Sequence, residues 1–227
     1  MTINEMHILF RTIGQAMGLQ LVRGILPESI DIYLNAAINE KCRSILLQNA
    51  STAFQDKITV RDNPVSPINA LRTLYRTVDV SVTNSDFVPV NVLKQHIEKD
   101  LSTITNVFQF VSFYVGYNDG TVKNCRLIEH DKLQLVLNDY CNKADDEYPV
   151  VSLISNTNKD TVAKLYVENN SNVNLLTCNY ICNPAKVQNN SNPIDCDLPE
   201  YLHNEIVELA VNKYFQSVGS TTQSVKQ

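Results

Sequence analysis

The sequence predicts an α+β protein: a helical N-terminal region and a C-terminal helix combined with a mainly antiparallel, β-rich middle. Three observations carry this reading. Apolar residues recur at helical spacing over 1–105, aromatic and β-branched residues crowd the stretch from Val107 to Cys182, and Asp197 and Glu200 bracket a helix start. Residues 1–219 read as one domain, helical over 1–105, β-rich over 106–187 and helical again over 198–217. A flexible polar tail is expected at 220–227.

In chain order, Met6, Leu9, Phe10, Ile13 and Met17 mark a first helix over 3–20, and Gly18 and Gly24 punctuate the stretch beyond Met17. Pro27 opens a second helix at a first-turn position, where its missing N–H costs nothing. Ile30, Leu34, Ala37, Lys41 and Ile45 line one stripe of it, widened by Ile38 and Cys42. Ser66-Pro67 starts a third helix with Ile68, Leu71 and Leu74 inward. Asn91 caps a fourth that carries Leu93, Ile97, Leu101 and Ile104.

The middle changes period. Val107 to Tyr117 is apolar on both faces and predicts a covered strand, and Asn118-Asp119-Gly120 turns it into a second strand over 121–128. A short helix is expected within 130–140, with strands after it at 150–155, 161–167 and 173–182 separated by Asn-rich turns. On the last helix Leu202, Ile206, Leu209, Lys213 and Phe215 do not form one clean stripe, and Val207, Val211, Tyr214 and Val218 add a second apolar edge. Two such edges mean a helix held between two surfaces, either as a core element or at a subunit interface.

Composition limits the functions available. The formal net charge is −5, from 19 Lys+Arg against 24 Asp+Glu, which argues against a surface built to grip nucleic acid phosphates. The acidic run Asp145, Asp146 and Glu147 reads as a solvated loop. The stretch from Met6 to Leu26 is interrupted by Arg11, Gln15, Gln20 and Arg23, so it reads neither as a signal peptide nor as a membrane span. The chain therefore reads as made inside the cell and not membrane-bound. The triplets at Asn49, Asn169 and Asn189 then carry no glycan, and the six cysteines, at 42, 125, 141, 178, 182 and 196, behave as small apolar groups with free thiols.

Chemistry-bearing motifs are not found. There is no G-x4-G-K-[ST], no G-x-G-x-x-G and no G-x-S-x-G, and with six glycines a backbone cradle for a nucleotide is hard to build. Cys178 and Cys182 lie on an expected strand, about 13 Å apart. Two thiolates on one zinc sit within about 4 Å of each other, so this pair does not chelate unless the segment bends. His7, His96, His130 and His203 have no local signature of Cys–His catalysis. His203 beside Glu200 and Glu205 reads as a surface or interface residue, His130-Asp131 as a turn or cap, and Glu205 with Glu208 as a solvated face. The expectation is a non-enzyme without cofactor or metal.

Two groups of residues carry a family pattern. One is M-T-I-N-E-M-H at 1–7 with L-P-E-S-I-D-I-Y-L-N-A-A-I-N-E-K at 26–41. The other is Tyr180-Ile181 with Pro184 and Val187, then C-D-L-P-E-Y-L-H-N-E-I-V-E-L-A-V at 196–211. Together they resemble virion structural proteins of crAss-like and related gut-bacterium tailed phages, of the head–tail connector ring or adaptor kind.

The resemblance implies a homo-oligomeric ring, commonly a dodecamer, made in the host cytoplasm and built into the virion between the portal protein and adjacent tail or ring proteins. DNA would pass through its channel without sequence-specific binding, and an acidic lumen would keep it from sticking. A closed ring needs heterologous contacts, one face of a subunit meeting a different face of the next. Leu202, Ile206, Val207, Ala210, Val211 and Tyr214 on the last helix, with Phe110 and Tyr114 on the first long strand, are the candidate subunit or portal interface. A tail-tube or stabilising subunit elsewhere in the virion and a small Cys/His virion-associated hydrolase are the competing readings.

Overall fold

The computed structural model describes residues 1–18, 24–55, 67–83, 86–88, 96–140, 143–158 and 160–223. It divides into a helical unit, Met1–Leu74 with Pro184–Gln227, and a β unit, Tyr75–Asn183. The architecture is α+β, as the periodicity predicts.

In the helical unit, α1 (Ile3–Ala16) starts at a capping box. The Thr2 hydroxyl accepts the Glu5 N–H, and the Glu5 carboxylate accepts the Thr2 N–H at 2.8 Å, satisfying two donors that the first turn leaves open. The long helix α2 (Pro27–Gln55) begins at its proline, and Ile30, Leu34, Ala37, Ile38, Cys42 and Ile45 are all buried. The third expected helix is a 3-10 helix, Pro67–Leu74, with Leu71 and Leu74 buried; the Ile68 side chain lies outside the described ones. A 3-10 turn, Glu200–Leu202, leads into the last helix of the chain, His203–Gln223, which packs on both α1 and α2. That helix runs further than expected, so 220–223 of the expected flexible tail are helical, while 224–227 lie outside the described residues.

A buried polar tie joins these pieces. His7 Nε2 and Asp31 Oδ1 are 2.7 Å apart, and both residues are buried. The other Asp31 oxygen accepts the Asn189 N–H at 3.1 Å. One turn on, the Asn35 amide group accepts the Val187 N–H at 2.9 Å and donates to the Val187 carbonyl at 3.0 Å, as a neighbouring strand would. The returning segment is thereby pinned to α2 by side chains in place of a backbone ladder.

The β unit contains β1 (Tyr75–Ser81), β2 (Phe87–Val88), β3 (His96–Asp100), β4 (Val107–Tyr117), β5 (Val122–Leu127), β6 (Val150–Ser155), β7 (Thr161–Tyr166) and β8 (Val173–Cys182), with the short helix α3 (Leu133–Asn138) between β5 and β6. The final helix is α4. Strand order is β1-β8-β4-β5-β6-β7-β3-β2, antiparallel except for the short β5–β6 pairing of Arg126 and Leu127 with Val150 and Val151. The hairpin signal holds: Gly120 adopts φ +85°, which L side chains rarely take, between β4 and β5.

One face of this sheet is buried by the sheet itself. Ile97, Phe113, Val115, Cys125, Val151, Ala163, Leu165, Leu176 and Cys178 form a single cluster with Val78, Val80 and Phe87 packed against it. Every strand contributes, and no residue of the cluster comes from a helix. A flat eight-stranded sheet would extend about 34 Å across its strands and leave that face wet. The sheet must instead curl over its own side chains. On the opposite face, Leu133 and Leu137 of α3 cover Val150 and Tyr166 in a smaller cluster.

The expected fourth helix is not formed. Ile97 lies on β3, and Leu101 and Ile104 are buried in the turn after it, closed by Asn106 at φ 60°; Asn91 and Leu93 lie outside the described residues. The spacing 97, 101, 104 matches a helix by coincidence. What decides the strand is its pairing with β7 over Ile97–Leu165 to Asp100–Val162, with Glu98 and Lys99 bonded to Lys164 and Asp86. β1 likewise occupies a stretch expected to be helical.

Replacing His7 with Ala leaves the buried Asp31 carboxylate without that partner. The His7→Ala protein is expected to lose about 3 kcal/mol of stability, read as a lower urea midpoint of the helical circular dichroism signal. An unchanged midpoint would show that the pair is not what ties α1 to α2.

Candidate functional site

The apolar residues singled out on α4 are spent inside the chain. Leu202, Ile206, Val207, Ala210 and Val211 are all buried, because α4 meets α1 and α2 on its two apolar edges. Of the two readings open for this helix, burial supports the core one. Tyr214 is half-buried and packs edge-on against Tyr33 at 5.3 Å and tilted against Phe10 at 6.1 Å. Phe110 is half-buried between Phe113 and Tyr180, on the inner face of the sheet. Tyr114, also half-buried, is the one strand candidate that does not belong to that core cluster.

Several apolar side chains of the helical unit are exposed, among them Ile8, Leu47, Tyr201 and Phe215, and two more, Leu26 and Ile32, flank a groove at the start of α2. Gly24, Ile25, Leu26, Ser29, Ile32, Tyr33 and Tyr214 line an open groove of about 440 Å³. Leu26 is 65% exposed and Ile32 67% exposed. The groove is firmly built. The Leu26 carbonyl accepts the Ser29 and Ile30 N–H groups at the first turn, Arg11 donates to the Ile25 carbonyl at 3.0 Å, and Tyr33 and Ser217 hydroxyls meet at 2.9 Å beneath it. The signal is present in the sequence: Ile32 sits roughly 200° around the helix from Ile30, away from the inward stripe.

The histidines are engaged in structure. His7 is held by Asp31, and His203 donates from Nε2 to the Leu198 carbonyl at 2.9 Å, inside the helical unit. His130 is exposed on a turn. His96 stacks on Tyr166 at 5.1 Å and contacts Glu98 at 3.2 Å. Lys164, bonded to Glu98 at 2.7 Å, holds that carboxyl below the usual carboxylate range against the opposing effect of burial, with help from His96. Burial pushes the Tyr166 hydroxyl up to about 12. This is a cross-strand charge network on β3 and β7.

The thiols are poorly activated. Burial pushes Cys125 and Cys178 up to about 12, and it raises Cys196 as well. Cys178 and Cys182 both lie on the continuous strand β8, as the spacing argument requires, whereas Cys141 lies outside the described residues. Among the described residues no group of three or more His, Cys, Asp or Glu is placed to hold a metal ion, and no helix is long and apolar enough to cross a membrane.

No protein-family model matches this sequence, and no curated protein matches it either.

The charge network and the buried thiols are each open to test. Glu98, with its depressed pKa, adds stability that is present above the ordinary glutamate range and is lost as pH falls through its lowered value. Glu98→Gln is therefore expected to lower the urea midpoint at neutral pH and to match the parent in acid; an equal deficit at both pH values would contradict the linkage. Cys125 and Cys178 are expected to resist a thiol-specific reagent at neutral pH in the native protein and to react at once in denaturant, as mass spectrometry of labelled peptides would record. Rapid native labelling of either would overturn the assignment of both as inert core thiols.

Proposed function

We propose that this chain is a structural subunit of a tailed-phage head–tail connector, forming a ring with copies of itself that extends the portal channel and docks tail components. The observation that carries this reading is where the family-like residues fall. The stretches 1–7, 26–41 and 196–211, with Pro184 and Val187, belong to the one helical unit, whereas Tyr180 and Ile181 of the pattern lie on β8. Within the helical unit His7 meets Asp31, Lys41 meets Glu205 at 2.5 Å, and the Ile3 N–H meets Asp195, just before the last stretch, at 2.6 Å. The accessible apolar residues Leu26 and Ile32 lie within the second of these stretches.

An open groove of mixed lining that carries the exposed Leu26 and Ile32 suits docking by protein, because closing it removes their apolar area from water at about 25 cal/mol per Å². The α2 groove therefore replaces the buried α4 residues as the contact offered to a neighbouring copy, the portal protein or an adjacent ring. In that setting the net charge of −5 disfavours adhesion of DNA passing through the channel. The proposed location is the connector region of the virion.

Leu26→Glu with Ile32→Glu tests the groove. Both side chains already face water, so the fold is expected to survive, with circular dichroism unchanged. Sedimentation with the portal protein is expected to show the parent chain in a large complex and the doubly substituted chain alone. Equal assembly by both would remove the groove from the interface, and absence of any complex with the parent chain would contradict the connector reading.

A further inference from the structure

The free edge of the β unit offers a second and separate contact. β1 ends the sheet, pairing with β8 on one side only, and no described segment pairs with its outer side. Its register with β8 is unbroken from Tyr75–Ile181 to Ser81–Leu175. Sheet edges in monomeric proteins are blunted by short strands, bulges, proline or charged side chains, lysine above all. β1, Y-R-T-V-D-V-S, has 7 residues with no bulge or proline, and its two charges, Arg76 and Asp79, are opposite in sign.

The direction of each backbone group on β1 is set by one bond. The Val82 N–H donates to the Asn174 carbonyl at 2.9 Å, continuing the same register. In an antiparallel ladder, groups pointing toward one neighbour recur at every second residue. Val80, Val78 and Arg76 therefore point their N–H and C=O toward β8, and Ser81, Asp79, Thr77 and Tyr75 point theirs outward. The Tyr75 carbonyl agrees with this: it accepts the Arg76 guanidinium at 2.9 Å, which closes that end of the edge. The N–H and C=O of Thr77 and Asp79 remain for a partner strand.

We infer that β1 pairs with β1 of a second copy of this chain, antiparallel about a two-fold axis at Val78. This register overlaps the whole strand. It sets Thr77 opposite Asp79 of the other copy and the reverse, so that about four backbone hydrogen bonds form between outward-pointing groups. No like charges oppose each other. Centring on Asp79 would set the two aspartates face to face, and centring on Thr77 would shorten the overlap. Val78 meets its own copy, and Arg76 lies opposite Val80. The inner faces of both sheets stay on the same side, as continued burial of Val78 and Val80 requires.

A two-fold contact closes on itself and cannot propagate a cyclic ring. The pair therefore belongs to the subunit before assembly, and it does not use the α2 groove.

The test uses the full chain and the sign of a charge. Thr77 is exposed, and its hydroxyl bonds Asn179 at 2.7 Å. Thr77→Asp places an acid opposite Asp79 twice per dimer, and is expected to weaken self-association about tenfold in analytical ultracentrifugation, with relief by salt. Thr77→Lys, which loses the same hydroxyl, is expected to retain or tighten it. Val78→Cys brings two Cα atoms to about 4.5 Å across the axis and is expected to form a covalent dimer on mild oxidation. A monomeric parent chain, equal effects of the two charges at Thr77, or a dimer that Val78→Cys leaves unlinked would each overturn the pairing. The Leu26 and Ile32 substitutions are expected to leave this dimer intact, so its failure is distinguishable from failure of the connector reading.

Discussion

The helical unit depends on one buried carboxylate. Asp31 is 7% exposed, and its two oxygens take His7 from α1 and the Asn189 N–H from the segment that returns after the β unit. A buried carboxylate is costly unless its acceptor sites are filled, so its partners must arrive together. That requirement brings residues separated by more than half the chain into one place. Asn35 then fixes the register of the returning strand-like segment through both backbone groups of Val187. With these ties made, α4 can lie across α1 and α2 and bury Ile206, Val207, Ala210 and Val211.

The β unit meets a different constraint. It is inserted in sequence between the two halves of the helical unit, and its first and last strands are neighbours: Tyr75 pairs with Ile181. An insertion whose ends are adjacent imposes little on the scaffold that carries it, because the chain leaves and returns at nearly the same place. Its sheet buries one face on itself, which accounts for the inward apolar residues of β4 and β8, while α3 covers part of the other face at Val150 of β6 and Tyr166 of β7. The cost of an open sheet is its ends. The β1 end keeps a regular seven-residue edge, while at the other end the described residues of β2 are Phe87 and Val88.

Much of the fold is legible in the sequence because long elements repeat their signal. The stripe from Ile30 to Ile45 spans several turns of α2, and the composition of β4 and β8 leaves no helical alternative. Short elements carry less. β3 has five residues, and its Ile97 together with Leu101 and Ile104 fits a helical period as well as it fits a strand and a buried turn. Pairing with β7, more than sixty residues further along the chain, separates the two. On α4 the apolar pattern is plain, but a core residue and an interface residue are equally apolar. Whether α1 and α2 fill both edges is a tertiary fact that periodicity does not contain. Leu26 and Ile32 are readable in principle as apolar positions off the inward stripe.

The exposed apolar surface on α2 has protein neighbours as its proposed destination. The most direct test is an electron cryo-microscopy map of the phage particle proposed to carry this chain. Density for the helical unit is expected in a ring directly below the portal, with the groove around Ile32 covered by another polypeptide. A map in which that ring is built from other chains, or in which this groove faces solvent all round, would contradict the connector role.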